Sequence, residues 1–255
     1  MNGTHLALGL AGLLAGASAL QRRGSRDALR PTAETALIVA EQDNGLPCIL
    51  LVDAALASKM KTEAELEACE ACVLGFIRLS YPHSRWERIT TDCDGKDGTG
   101  PLEVYNAVAR KGWGPLTYDA ALWIASDMQE QGDQFNGYLV PDRNNVSAAA
   151  RNVWRYYAEK RKADVTSRKI PSTCPTHGYP DPDPFLDRMY KAKMDAPAFQ
   201  AILPLYGRGR DLIGHLEDTV VAWAPFPGGP PSRLGRDDLE QVFLSLGEKL
   251  FGRYF

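Results

Sequence analysis

Two regimes of patterning divide the first two-thirds of the chain. Up to Val108, apolar and β-branched residues come in short runs, Thr35 to Glu41, Leu46 to Val52, Val73 to Leu79 and Leu102 to Val108, which read as strands. The first two are separated by Gln42-Asp43-Asn44-Gly45, and Asn-Gly between such runs predicts a hairpin. Thr62 to Ala71 reads as a short acidic helix and Trp86 to Thr90 as a further strand.

After Pro115 the period changes to that of a helix. Leu116, Ala120, Ile124 and Met128 recur at steps of four, with Trp123 widening the stripe, so a helix is expected from Pro115 to about Met128 with one buried face. Proline suits its first turn, where an N–H has no partner to lose. Gly137 to Val140 predicts a short strand. Ser147 caps a second helix running to about Arg161, with Ala150, Val153, Trp154 and Tyr157 on one side. The fold class is therefore α/β of the α+β type: a mixed, largely antiparallel sheet of five or six strands with two packed helices.

Beyond Arg161 the character shifts. Pro171, Pro175, Pro180, Pro182 and Pro184 predict an extended connector. A short helix from Pro184 to Met194, a segment from Ala198 to Leu205 and a strand from Thr219 to Trp223 lead into the Pro225 to Pro231 linker. The last helix, Asp237 to Phe251, gathers Leu239, Val242, Phe243, Leu246, Leu250 and Phe251 on one face, which must dock on the core or on a partner. The organisation read from this is an apolar segment with a basic linker over residues 1–31, a core over 32–162 and a Pro-rich, partly helical extension over 163–255.

Composition narrows the function. The 255 residues carry 44% hydrophobic and 24% charged side chains and a formal net charge of −3, which supplies no broad basic field for nucleic acid. Five cysteines, an odd number, point to a reducing compartment, so the expected location is cytoplasmic. Cys69-Glu-Ala-Cys72 has metal or redox spacing, and Cys174 with His177 would complete a zinc tetrad. An ordinary helix end leading into a buried strand accounts for the same pair, and no metal site is assigned. Asp92 to Gly98 lacks the closing Glu of a calcium loop and reads as a solvated turn. His5, His83, His177 and His215 lie in unrelated settings, and no Ser or Cys occupies a nucleophile elbow. The N-terminal run from His5 to Leu20 is short for a bilayer span of roughly 20 residues. Its Gly9, Gly12 and Gly16 spacing suits close packing on a protein partner, self-association or weak membrane association.

The candidate chemistry centres on Gly112-Trp113-Gly114-Pro115, between the expected Leu102 strand and the Pro115 helix. Glycines there let the backbone turn sharply, and amides at a helix N-terminus favour anions. The element order from Leu37 to Arg161 resembles the GNAT superfamily of N-acyltransferases. Gly112-Trp113-Gly114 matches the glycine part of the family's R/Q-x-x-G-x-G/A pyrophosphate loop, with Ala109 at the R/Q position and Arg110 one place late. Ser147 to Trp154 looks like the family's N-x-x-A-x-x-x-Y helix, with Trp154 in place of the tyrosine. The pattern Gly112 to Leu116, Pro141-Asp142-Arg143, Val146-Ser147 also resembles a divergent GNAT-like group found in bacteriophage genomes.

The resemblance implies an acetyl-CoA site at Arg110, Gly112, Trp113, Gly114 and Leu116, with pantetheine lying between the Leu102 and Gly137 strands. It implies attack of an amine on the thioester, with Glu103 as base and Tyr156 or Tyr157 as acid. Trp154 cannot serve as that acid, since an indole N–H does not ionise at ordinary pH, and Pro115 removes one loop amide. The alternative expectation is a catalytically degenerate GNAT-like protein with a structural (virion or scaffold) or binding role.

Overall fold

The computed structural model describes residues 34–42, 45–80, 100–130, 135–141, 146–170, 183–222 and 232–252. The expected strand Trp86 to Thr90, the candidate calcium turn, both Pro-rich linkers, Cys174 with His177, and the N-terminal apolar run lie outside them.

The Asn-Gly signal is met by an antiparallel pair: β1 (Thr35–Glu41) faces β2 (Pro47–Asp53), with Thr35 opposite Asp53 and Glu41 opposite Pro47. Gly45 in the connection has φ 76°, a left-handed conformation that other residues adopt only with strain. Asp53 then accepts from the Leu56 amide at 3.0 Å and caps the one-turn helix α1 (Ala54–Ala57). Thr62 caps α2 (Glu63–Ala68), accepting from Glu65 N at 3.2 Å, while Glu65 Oε2 accepts from Lys61 N at 2.7 Å. These reciprocal bonds satisfy amides that the helix leaves unpaired. A 3₁₀ turn over Glu70–Cys72 leads into β3 (Val73–Ser80).

β4 (Gly100–Ala109) precedes the glycine turn, and α3 (Gly114–Glu130) follows it. Then come β5 (Phe135–Pro141) and α4 (Ala148–Lys160), the latter capped by Ser147, whose Oγ accepts from Ala150 N at 3.2 Å.

The expected helix from Pro184 to Met194 is instead a turn followed by a strand, β7 (Arg188–Ala192), paired along its length with β6 (Val165–Lys169). Its side chains alternate, Met189 to one face of the sheet and Tyr190 and Ala192 to the other. That period of two inside five residues is too brief to read against the prolines around it. The sheet has seven strands in the order β1-β2-β3-β4-β5-β7-β6; β4 and β5 are parallel and every other neighbouring pair is antiparallel. It is a mixed, mostly antiparallel sheet with packed helices, and two of its strands come from residues after 162.

The remaining elements are α5 (Pro197–Gln200), α6 (Leu203–Thr219), the small pair β8 (Val221–Ala222) and β9 (Ser232–Arg233), and α7 (Arg236–Gly252). The central sheet is buried on both sides, so β1 and β2 read as nearly continuous apolar runs. Leu37, Ile49, Leu51, Ile77, Leu102 and Val104 pack with α3 and α4, whereas Ile38, Leu50, Val52 and Phe76 pack with α6 and α7. The face of α7 named in the sequence, Leu239, Val242, Phe243, Leu246 and Leu250, is buried within this chain. At about 1.5–3 kcal/mol for each large apolar side chain removed from water, this is a substantial docking energy. α6 lies so close to β1 that a Cβ on Gly209 would overlap the Leu37 carbonyl oxygen and stand 2.7 Å from its carbon. Among the described residues, no helix is long and apolar enough to cross a membrane.

Candidate functional site

The parallel pair defines the site. β4 and β5 run together with Leu102 opposite Leu139, Glu103 opposite Val140 and Val104 opposite Pro141. Pro141 is the last described residue of β5, while β4 continues to Ala109, paired among the described residues with β3. At that point β3 and β4 lose register: Arg78 faces Asn106 but Leu79 faces Val104, so Tyr105 is the extra residue of a bulge. Bulges bend a strand and re-aim its side chains, and Tyr105 is accordingly 54% exposed. No sequence signal marked Tyr105, because a bulge depends on pairing partners rather than on a local motif.

The glycine turn stands at the end of β4. Gly112 has φ 90°, and Trp113 N donates to Arg110 O at 2.9 Å, closing a tight turn. α3 begins at Gly114, one residue before the expected start. Thr117 fixes this first turn, its amide and its hydroxyl both donating to Trp113 O, at 3.0 and 2.8 Å. The first-turn amides of Gly114 and Leu116 have no acceptor in their own helix, and Pro115 has no N–H. A Cβ on Gly114 would meet nothing within 4 Å, so the space beside the turn is open.

The other expected cofactor residues have different surroundings. Leu116 is buried in the core beneath α3, and Trp113 packs against the same cluster. Arg110 turns away from the glycine loop: Nε donates to Val73 O and Nη2 to Glu70 O, both at 2.8 Å.

The candidate catalytic residues fall on opposite faces of the sheet. Leu102 and Val104 point toward α3 and α4, so by strand alternation Glu103 between them points to the other face; it is 5% exposed. Tyr157 lies on the α3 and α4 side, 1% exposed, donating to Asp119 Oδ1 at 2.8 Å and to Pro115 O at 3.4 Å. Burial first, and the Asp119 carboxylate second, hold its phenol well above the ordinary value, so the proton stays on oxygen. Tyr156 is half-buried beside it, with its ring 5.9 Å from the Arg161 guanidinium.

Asp119, Tyr157 and Arg161 form a buried polar brace between α3 and the end of α4. Arg161 Nη1 donates to Asp119 at 3.3 and 3.4 Å, and Arg161 Nε donates to Asp164 Oδ2 at 2.5 Å. Burial pushes the Asp119 carboxyl above its ordinary value, against the opposing pull of Arg161 and the Tyr157 hydroxyl. Arg161 Nη2 is buried without a hydrogen-bond partner. Trp154 is packed edge-on to Tyr118 and tilted against Tyr190, 1% exposed. Asp119 was not legible as a member of this group, since its partners Tyr157 and Arg161 lie 38 and 42 residues away in the chain.

Among the described residues, no cluster of three or more His, Cys, Asp or Glu is arranged to hold a metal ion. Cys69 and Cys72 are joined as a disulfide rather than standing as two thiols. Comparison of the chain with family models, with curated proteins and with solved structures gave no match.

Proposed function

We propose that the chain is a divergent GNAT-like acyltransferase that moves an acyl group from acyl-CoA to an amine. The observation that carries this reading is the parallel pairing of β4 with β5 up to Val104 and Pro141, on the strand that ends in the Gly112–Gly114 turn and the N-terminus of α3. The edge of β4 beyond Val104, without a strand partner among the described residues, suits the amides of a pantetheine arm, by the same main-chain pairing that adds a peptide strand to a sheet. The open side of Gly114, with the positive end of the α3 dipole, suits the pyrophosphate.

In this reading the amine nitrogen attacks the thioester carbonyl, the new C–N bond forms and the C–S bond breaks. Glu103 takes the ammonium proton directly or through water, and CoA leaves as thiolate to be protonated. Tyr157 is committed to Asp119 and Tyr156 lies on the face of the sheet opposite Glu103, so the acid role falls to solvent. Positioning supplies most of the acceleration.

A second reading is favoured by particular contacts. Arg110 is bound to the Glu70 and Val73 carbonyls, Tyr157 to Asp119, and Trp154 is packed in the core. A GNAT-like binding or scaffold protein without turnover accommodates all three. Calorimetric titration with acetyl-CoA separates the readings. The enzyme reading expects binding that Gly114→Asp abolishes, by placing charge and bulk where phosphate would sit, and amine acylation that Glu103→Gln slows. Absence of heat and of any thermal shift at millimolar acetyl-CoA would remove it.

A further inference from the structure

We infer that Cys69 and Cys72 form a reversible dithiol–disulfide centre whose state is transmitted through Arg110 to the Gly112–Gly114 turn. The two cysteines are disulfide-bonded across only three residues. Loop-closure entropy grows with the length of the loop, so so short a bridge is a poor staple. Nor is it needed to anchor the chain: Cys72 is wholly buried among Val52, Val73 and Phe76, and α2 is held by its own caps and by Leu66. Two cysteines at this spacing are well suited to thiol–disulfide exchange.

The two sulfurs differ in access. Cys69 ends α2 and is partly exposed, whereas Cys72 is buried. An external thiolate, from a dithiol or a glutathione-class reductant, therefore attacks Cys69 Sγ. The S–S bond breaks, its electron pair leaves on Cys72 Sγ, and a mixed disulfide remains at Cys69. A second reductant thiolate resolves it, so the reductant ends as its disulfide and its two protons end on Cys69 and Cys72.

Arg110 links this turn to the glycine loop. Its guanidinium donates to Glu70 O, inside the disulfide ring, and to Val73 O, just after it. Its own amide donates to Leu74 O at 2.9 Å, and its carbonyl accepts from Trp113 N. One residue thus holds the carbonyls around Cys72 at one end and the Gly112 turn at the other. It also keeps a permanent positive charge beside the Cys69–Cys72 turn, which favours thiolate on reduction. Opening the disulfide frees the Glu70 carbonyl to move and relaxes the grip on the loop.

The test uses the full chain with Cys93→Ser and Cys174→Ser, equilibrated in glutathione buffers of graded ratio, trapped with iodoacetamide and mapped by peptide mass. Cys48, buried with its thiol pushed up to about 12 by burial, serves as the unlabelled control for folded protein. The expected result is reversible, paired loss and recovery of the disulfide, with single-site adducts at Cys69 before Cys72. Hydrogen exchange at residues 111–114 should quicken at least several-fold in the reduced form, and Arg110→Gln should erase that difference between the two states while leaving the pair titratable. A pair that stays fully oxidised, or fully labelled, across the whole series while Cys48 remains protected overturns the centre. Reversible reduction with unchanged exchange at 111–114 overturns the transmission. Neither readout involves CoA, so the outcome is independent of acyltransfer.

Discussion

Gly209→Ala and Gly214→Ala place the same methyl group in the same helix and should act in opposite directions. Alanine in a helix interior is worth about 1 kcal/mol over glycine when nothing intervenes. At Gly214 nothing lies within 4 Å of the new Cβ, so the gain should appear in full. At Gly209 the Cβ would overlap the Leu37 carbonyl oxygen and lie 2.7 Å from its carbon, where carbon atoms prefer about 3.5–4.0 Å. The neighbour is backbone of β1, bonded into the sheet opposite Leu51, and cannot rotate aside. α6 must therefore retreat by about an ångström, opening gaps beside Leu212 and Ile213. Over-packing of this kind costs about 1–3 kcal/mol, and an immovable neighbour puts it at the upper end, leaving a net loss near ~2 kcal/mol. For a chain of this size that lowers Tm by about 4–8 °C, while Gly214→Ala raises it by about 2–4 °C. Thermal unfolding followed by circular dichroism, with urea titrations to compare m-values, gives both numbers. If Gly209→Ala stabilises as Gly214→Ala does, α6 does not press on β1 and the packing described for that face is wrong.

Other outcomes follow from the same contacts. Gly75→Ala would put a Cβ 2.9 Å from Thr117 Cγ2 and into its hydroxyl; it should cost about 1–3 kcal/mol, and Thr117→Ala in the same chain should recover part of the loss in a double-mutant cycle. Arg161→Met leaves Asp119 buried without its cation and should cost about 3–5 kcal/mol near neutral pH. Because burial already raises the folded-state carboxyl of Asp119, its contribution is greatest at low pH and is lost as pH rises through that raised value. Removing the cation raises it further, so the deficit should widen between pH 4 and pH 8 in urea midpoints; an equal deficit at both pH values would contradict the ion pair. With α7 spent on its own sheet, self-association should depend on the N-terminal segment: deletion of residues 1–22 should give a monomer by light scattering where the parent is larger, and equal masses would count against that role.

How far the fold was legible tracks how local each signal is. The β1–β2 hairpin, β3, β4, α3, α4 and α7 were all readable, because a turn dipeptide, a cap or a repeating apolar stripe lies within a dozen residues of each. β6 and β7 were not, since five-residue strands rich in Arg and Lys gain their identity only from pairing with each other and, through β7, with β5. α6 was read only at its start, because Gly207, Gly209 and Gly214 weaken its helical signal, and Gly209 is there for the approach to Leu37. At the candidate site, the glycine turn and the strand β4 that carries Glu103 were legible from local pattern. The commitment of Tyr157 to Asp119 and of Arg110 to the Glu70 and Val73 carbonyls was not, because those partners lie 38, 40 and 37 residues away in the chain.

The helices that cover Ile38, Leu50 and Phe76 are synthesised well after the strands they cover. Arg208 bonds Thr35 across 173 residues and Lys249 bonds Glu67 across 182, so the first hairpin leaves the ribosome long before its cover exists. Until α6 and α7 have emerged, that side of β1, β2 and β3 lacks the cover those helices provide. Contacts this distant in sequence slow folding, and an uncovered apolar sheet is the kind of surface on which nascent chains aggregate. Translation that stops before α7 would therefore yield a chain with most of its sheet in place and half of its core unsealed, a natural client for a holdase chaperone.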